Sequence, residues 1–179
     1  MDPQQRLFLE EAWHALEDAG YAGRDLTETS CGVFVGVGPG DYLSDQARDD
    51  IDLDGYALMG SSASILAARI SYFLNLKGPS IAIDTACSSS LVAIHAACQS
   101  LLSGESRLAV AGGVHIGTTP QMHIMASKAS MLAPDGQCKT FDNRADGFGL
   151  GEGVGVIILK RLSDARRDGD RVYGVVKGS

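Results

Sequence analysis

The sequence predicts an α/β fold built on a largely parallel sheet covered on both faces. Short, continuously apolar runs alternate with stretches of helical period, and several of the runs lack the in-out alternation of a half-exposed strand. The 179 residues are 45% hydrophobic and 21% charged, enough apolar material for one substantial core. The 22 glycines are dispersed and follow no fixed period, which suits tight turns and close backbone approaches and argues against a linker or a fibre.

Taken in order, Leu9, Ala12, Trp13, Leu16 and Ala19 recur at helical spacing, and Gly20 is placed to end that helix. Asp2 before Pro3 reads as an N-cap followed by proline at the first helical position. Residues 31–37, CGVFVGV, form a buried strand. Residues 38–60 are polar, acidic and weakly patterned, and are expected to be mostly loop. Helical spacing returns over 61–74 and is broken by Lys77-Gly78-Pro79. Residues 80–86, SIAIDTA, are a strand that runs straight into Cys87 and a patterned helix. That helix carries Leu91, Ile94, His95, Cys98, Leu101 and Leu102 on one side and has Gly104 at its end. Residues 108–116 read as a strand in which Gly112-Gly113 demand close packing or a bulge. A helix over 120–132, a Gly- and Asp-rich loop over 133–152, a strand over 154–159, a helix over 163–167 and a last strand from about Val172 complete the order. The chain reads as one unit, residues 1–179, cut at both ends: the last strand has no terminator before Ser179, and Met1 stands inside a helix-start motif.

The net charge of −7 argues against nucleic acid as a partner, because phosphate binding needs a cationic surface. Lys160, Arg161, Arg166, Arg167 and Arg171 are interleaved with Asp164, Asp168 and Asp170, the mixed pattern of a solvated surface. The run at 154–159 is far too short to cross a bilayer, and the acidic N-terminal residues do not suit a signal peptide, so no membrane role is expected. Cys31, Cys87, Cys98 and Cys138 show no CxxC pair and no zinc spacing, which points to free thiols in a reducing, cytoplasmic compartment.

The chemistry concentrates at Cys87. A cysteine between a buried strand and a buried helix lies near unpaired helix N–H groups and the positive end of the dipole, and both favour the thiolate, the better nucleophile. Its own backbone N–H points where an oxyanion would form on a thioester carbonyl. Ala86, Ser88, Ser89 and Ser90 are small enough to let a substrate arm approach. A glycine-free elbow of this kind holds its nucleophile in a strained, exposed pose.

The wording of the chain adds to this. DTACSSSLVA at 84–93 resembles, residue for residue, the nucleophile segment of ketosynthases (β-ketoacyl synthases) of type I modular polyketide synthases. MDPQQRLFLE at 1–10 with EAWHALEDAGY after it, AVAGGV at 109–114, MLAPDGQCKTFD at 131–142, RADGFGLGEG at 144–153 and LKRLSDARRDGD at 159–170 resemble further family segments in the same order. The resemblance covers essentially the whole chain. It implies a thiolase-like fold of two similar halves in α/β/α/β/α layers, of which this chain is most of the first half, without its opening strand. It implies a homodimer joined through the strand at about 80–84. It implies that Cys87 takes an acyl group from the phosphopantetheine arm of an acyl carrier protein. A malonyl-type extender then loses carbon dioxide and condenses with the Cys87 thioester, among neighbouring synthase domains. No cofactor and no metal are implied as bound directly. The family's two histidines, in HGTGT-like and NIGH-like motifs, and a nearby lysine have no match here, so His14, His95, His115 and His123 inherit no role and the chain alone is expected to accept acyl groups at most. The alternatives are a fatty-acid β-ketoacyl synthase and a non-elongating ketosynthase that only transacylates.

Other features read more plainly. His95 lies eight residues after Cys87, about 12 Å along a helix and out of hydrogen-bond reach, and is expected to be a packed core or interface residue. Gly36, Gly38 and Gly40 with Pro39 form a turn rather than a dinucleotide loop, since no helix follows. Asp142, Asp146 and Glu152 are not read as a metal cluster. A cysteine hydrolase would need a histidine and an acidic orienter, and none has suitable context.

Overall fold

Asp2 takes an extended conformation and its Oδ1 accepts from the Gln4 amide at 2.8 Å, so it caps the helix that Pro3 opens. That helix, α1 (Pro3–Asp18), buries Phe8, Ala12 and Leu16 and gives way to Gly20 at φ 75°, as its C-terminal glycine suggested. The buried seam lies one notch from the expected one: Leu9 is only partly covered and Trp13 is exposed. The computed structural model describes residues 1–23, 26–27, 29–43 and 55–179. The remaining elements are β1 (Cys31–Val37), α2 (Gly55–Ser61), α3 (Ala63–Phe73), β2 (Ser80–Ile83), α4 (Ser89–Ser103), β3 (Leu108–His115), α5 (Gln121–Lys128), β4 (Gly153–Leu159) and α6 (Leu162–Asp168).

The sheet runs β2-β1-β3-β4. The first three strands are parallel, with Gly36 opposite Ile83 on one side and Gly113 on the other, and β4 lies antiparallel to β3. One face carries α1 and α3 over Val33, Val35, Val37 and Val110, with Phe8, Leu16, Leu66 and Ile70 between the layers. The other carries α4, whose Ala93, Ala97 and Leu101 meet Phe34, Ala109 and Ala111. The expected α/β architecture with a largely parallel, two-faced sheet is therefore present.

Three expectations need correction. Of the region foreseen as loop, residues 55–60 are helical, and Ser62 in extended backbone separates α2 from α3; residues 44–54 lie outside the described residues. The side of α4 marked by Leu91, Ile94, His95, Cys98, Leu101 and Leu102 is not its inner side. Leu91 and Leu102 are 69% and 72% exposed, His95 is exposed, and the buried residues are Ser89, Ala93, Ala97, Ser100 and Leu101. The sheet beneath offers Gly36, Gly113, Ala109 and Ala111 beside Phe34, so the helix approaches mainly on its small residues and Leu101 and turns Leu91 and Leu102 away. The segment Ala86–Ser103 has a mean hydropathy of 1.2, high enough for a membrane span by composition, yet its small-residue face rests on the sheet. Finally, the strand expected from Val172 is absent: residues 170–179 make no ladder, and Val172, Tyr173, Val175 and Val176 are exposed. An apolar, β-branched segment becomes a strand only where a neighbouring edge accepts its backbone.

Candidate active site

Between the end of β2 and the start of α4 the chain makes an elbow of five residues, 84–88, all exposed. Ala86 stands at φ +57°, a left-handed conformation that alanine rarely takes. Its amide donates to Asp84 Oδ1 at 3.0 Å, and its carbonyl accepts from Ser89 Oγ at 2.6 Å and the Ser89 amide at 3.1 Å. The Thr85 amide donates to Ser89 Oγ at 2.9 Å. Ser88 occupies the N-cap of α4, but its hydroxyl turns back to the Thr85 carbonyl at 2.9 Å and caps nothing in the first turn. Cys87, between these two residues, is exposed.

The elbow is set by the sheet. A Cβ on Gly36 would lie 2.5 Å from the Ser89 carbonyl carbon, and one on Gly113 would lie 2.7 Å from Ser90 Cβ. These glycines of β1 and β3 let the first turn of α4 descend onto the backbone of the sheet. Gly36 thus belongs to a strand and serves as a seat, while Gly38 and Gly40 lie in the loop that follows. The chemistry this permits is narrow: a thiol on a rigid turn, open to a large reactant, beside a helix start that no side chain caps.

The other thiols are differently placed. Cys31 is buried in β1, and burial pushes it up to about 12. Partial burial raises Cys98, and Cys138 is exposed with the Gly149 amide donating to its sulfur at 3.3 Å. His95 is not packed in a core: it sits on the outer side of α4 with Nδ1 2.9 Å from Ser179 Oγ. His14 does have a carboxylate neighbour, Glu11, at 3.4 Å on the surface. Asp142 pairs with Arg144, Asp146 with Lys139, and Glu152 accepts the Gly117 amide, so the three acids face different partners. Lys160, Arg161 and Arg167 are each paired with Asp164, Asp168 or Asp170, as the interleaved charges suggested.

One group at the site carries no signature in the sequence. Asp41 accepts four hydrogen bonds, from the amides and the hydroxyls of both Thr118 and Thr119. Burial alone would raise its carboxyl, but the bonds from Thr119 and Thr118 outweigh this and hold it well below the usual carboxylate range. Asp2, close by, is shifted the other way, chiefly by burial. No local pattern links residues 77 positions apart, which is why Asp41 looked like one acid among many in a polar loop.

Residues 1–165 match the family described as "Beta-ketoacyl synthase, N-terminal domain". Over its full length the chain is 52% identical to a component of the phenolphthiocerol/phthiocerol polyketide synthase of Mycobacterium tuberculosis, covering 10% of that protein. It is 51% identical to polyketide synthase PksL of Bacillus subtilis, covering 4%. Among solved structures, it resembles the ketosynthase from module 6 of the Bacillus subtilis bacillaene synthase. There the TM-score is 0.85 and the identity 50%, over 97% of this chain and 29% of that one. An oxazolomycin ketosynthase domain from Streptomyces albus gives a TM-score of 0.86 at 43% identity, over 96% of this chain and 30% of that one. The chain spans about a tenth or less of the length of these curated relatives.

Proposed function

The chain belongs to the β-ketoacyl synthase N-terminal domain family, as a thiolase-like ketosynthase piece of polyketide-synthase type, and on that premise we propose that Cys87 is its acyl-accepting nucleophile. The observation that carries this reading is the exposed thiol on the strained, uncapped strand-to-helix elbow. In the proposed reaction, Cys87 Sγ attacks the carbonyl carbon of an acyl thioester borne on the phosphopantetheine of an acyl carrier protein. The C–S bond to the carrier breaks and its thiol leaves with the proton. A malonyl-type unit on a second carrier then loses carbon dioxide, and the resulting carbanion attacks the Cys87 thioester. A carbon–carbon bond forms, the Cys87 sulfur is released, and a β-ketoacyl carrier is the product. The cysteine side of this exchange lies within the chain; we assign the decarboxylation to residues outside it, since the family's two histidine motifs have no match among its residues.

Pairing of two copies through the free edge of β2 is part of the same proposal. Among the described residues β2 is hydrogen-bonded only to β1, and Ser80 and Ile81 on it are exposed. Neighbouring synthase domains and a cytoplasmic setting complete it.

The test is acyl loading. The full-length protein is incubated with a labelled acyl thioester and digested, and the label is located by mass. Label on the peptide carrying Cys87, and its loss in Cys87→Ala without loss of folded protein, are expected. Cys87→Ala with undiminished label would assign the acceptor to another residue. A protein that loads but releases no carbon dioxide from a malonyl carrier would be a transacylating, non-elongating ketosynthase.

A further inference from the structure

The four backbone amides that follow β3 are all taken by side chains from three distant segments. Ile116 N–H donates to Gln4 Oε1 at 3.2 Å, Gly117 N–H to Glu152 Oε1 at 2.7 Å, and Thr118 and Thr119 N–H to the two Asp41 oxygens at 2.9 Å each. The threonine hydroxyls add bonds of 2.7 and 2.6 Å to the same carboxylate. Two donors on each of two oxygens is an acceptor set that an ionised carboxylate fills and an amide cannot. α5 starts two residues later with Pro120 at its N-cap and no side-chain cap of its own, so Asp41 also supplies negative charge close to that helix start.

On its other flank the Asp41 loop runs beside the elbow. The open side of Gly38 faces Asp84 Oδ2, and Asp84 Oδ1 holds the Ala86 amide. Gly40 is pressed against the carboxylate of Asp2. The elbow, the loop after β1 and the loop after β3 therefore stand side by side beyond the carboxyl ends of β2, β1 and β3, in sheet order. Asp41 is the clasp between the second and the third.

We propose that Asp41 is a positioning residue for acyl transfer to Cys87, fixing residues 116–120 and the start of α5 as a wall that faces the elbow across the loop after β1, beyond the carboxyl ends of the strands, where open α/β sheets take their ligands. The inference rests on Cys87 being the acyl acceptor. Asp41 does not touch the reacting atoms and acts through the wall. A small reagent reaches the thiol without it, whereas a long acyl chain must lie along it.

The experiment uses the full-length protein and three readouts at Cys87: alkylation by iodoacetamide, and transfer of acetyl and of octanoyl groups from their N-acetylcysteamine thioesters. In Asp41→Asn the amide nitrogen faces donors. Octanoyl transfer should fall by about ten- to a hundredfold in kcat/KM, acetyl transfer by less, and alkylation should stay within about twofold of the parent. Thr119→Ser, which keeps both donors, should behave as the parent, and Thr119→Val should show the same selective loss in smaller measure even where Asp41→Asn folds poorly. Equal loss in all three readouts, or no loss in any, overturns the inference. A parent protein that transfers no acyl group to Cys87 overturns the acceptor assignment and the inference together, whereas normal loading with an unaffected Asp41→Asn overturns the inference alone.

Discussion

At φ +57° the Ala86 methyl crowds the following carbonyl, a conformation that costs an L-residue about 1–2 kcal/mol and that glycine takes freely. The Ala86 amide, donating to Asp84, and its carbonyl, accepting from Ser89, hold it there. Ala86→Gly is therefore expected to leave stability unchanged or raise it by about 0.5–1 kcal/mol, while slowing acyl transfer because the elbow loses its single pose. A thermal midpoint that drops by several degrees would mean that the methyl group is packed and not strained. A second residue-scale prediction concerns acid. Asp168 is held down at about 2 by Lys160 first and then Arg167. Its folded value lies below the ordinary one of about 3.9, so its contribution is complete above that pH and drains away as pH falls toward the folded value. Burial opposes the charge on Lys160, but Asp168, Asp170 and Tyr21 outweigh it and keep it protonated throughout that window. Peptides spanning 18–21 and 160–173 should lose hydrogen-exchange protection between about pH 4 and 2, once intrinsic rates are corrected, and Lys160→Gln should flatten that dependence. At this scale the local features were legible: the Asp2 cap, the glycines ending α1 and α4, and the cysteine at the junction each depend on a few adjacent residues. The Asp41 clasp was not, because its partners are joined only by the folded sheet.

Element by element, period and punctuation located the strands and most helices, but the orientation of α4 did not follow from its own pattern. An apolar stripe marks a face that avoids water, not the surface that will cover it. The choice between Leu91 and Ala93 was made by Gly36, Gly113, Ala109 and Ala111, three of them on a strand that begins after the helix ends. Gly113→Ala and Gly36→Ala should each destabilise by about 2 kcal/mol or more, since the new methyl meets the first turn of α4 and overpacking of this kind is costly. Gly155→Ala, with open space where its Cβ would lie, should change stability by about 1 kcal/mol or less. Denaturant midpoints of the three variants check this, and equal midpoints would remove the seat from the account. The missing C-terminal strand has the same origin, because propensity cannot supply the neighbour that a ladder requires.

For the whole molecule, the sheet has two open margins: among the described residues β2 pairs only with β1, and β4 only with β3. β2 has four residues and shows Ile81 at its surface, so a charge there opposes pairing with a second sheet. The proposed pairing through β2 predicts that the full-length protein sediments as a dimer and Ile81→Lys as a monomer, and a dimer unchanged by the substitution would move the interface elsewhere. The order of segments along the chain was readable because each had its own wording, whereas contacts across the sheet were not. The seat of α4 has one more consequence. Advancing the helix by one residue would rotate it by about 100° and drive a larger side chain onto Gly36 and Gly113, where the strands already meet Ser89 and Ser90. Sliding is therefore quantised, and small thermal displacements along the axis meet a steric stop. The height of the Cys87 sulfur above the strands is indexed by shape, as a key is by its notches, and would persist even while the polar contacts around the elbow exchange with water.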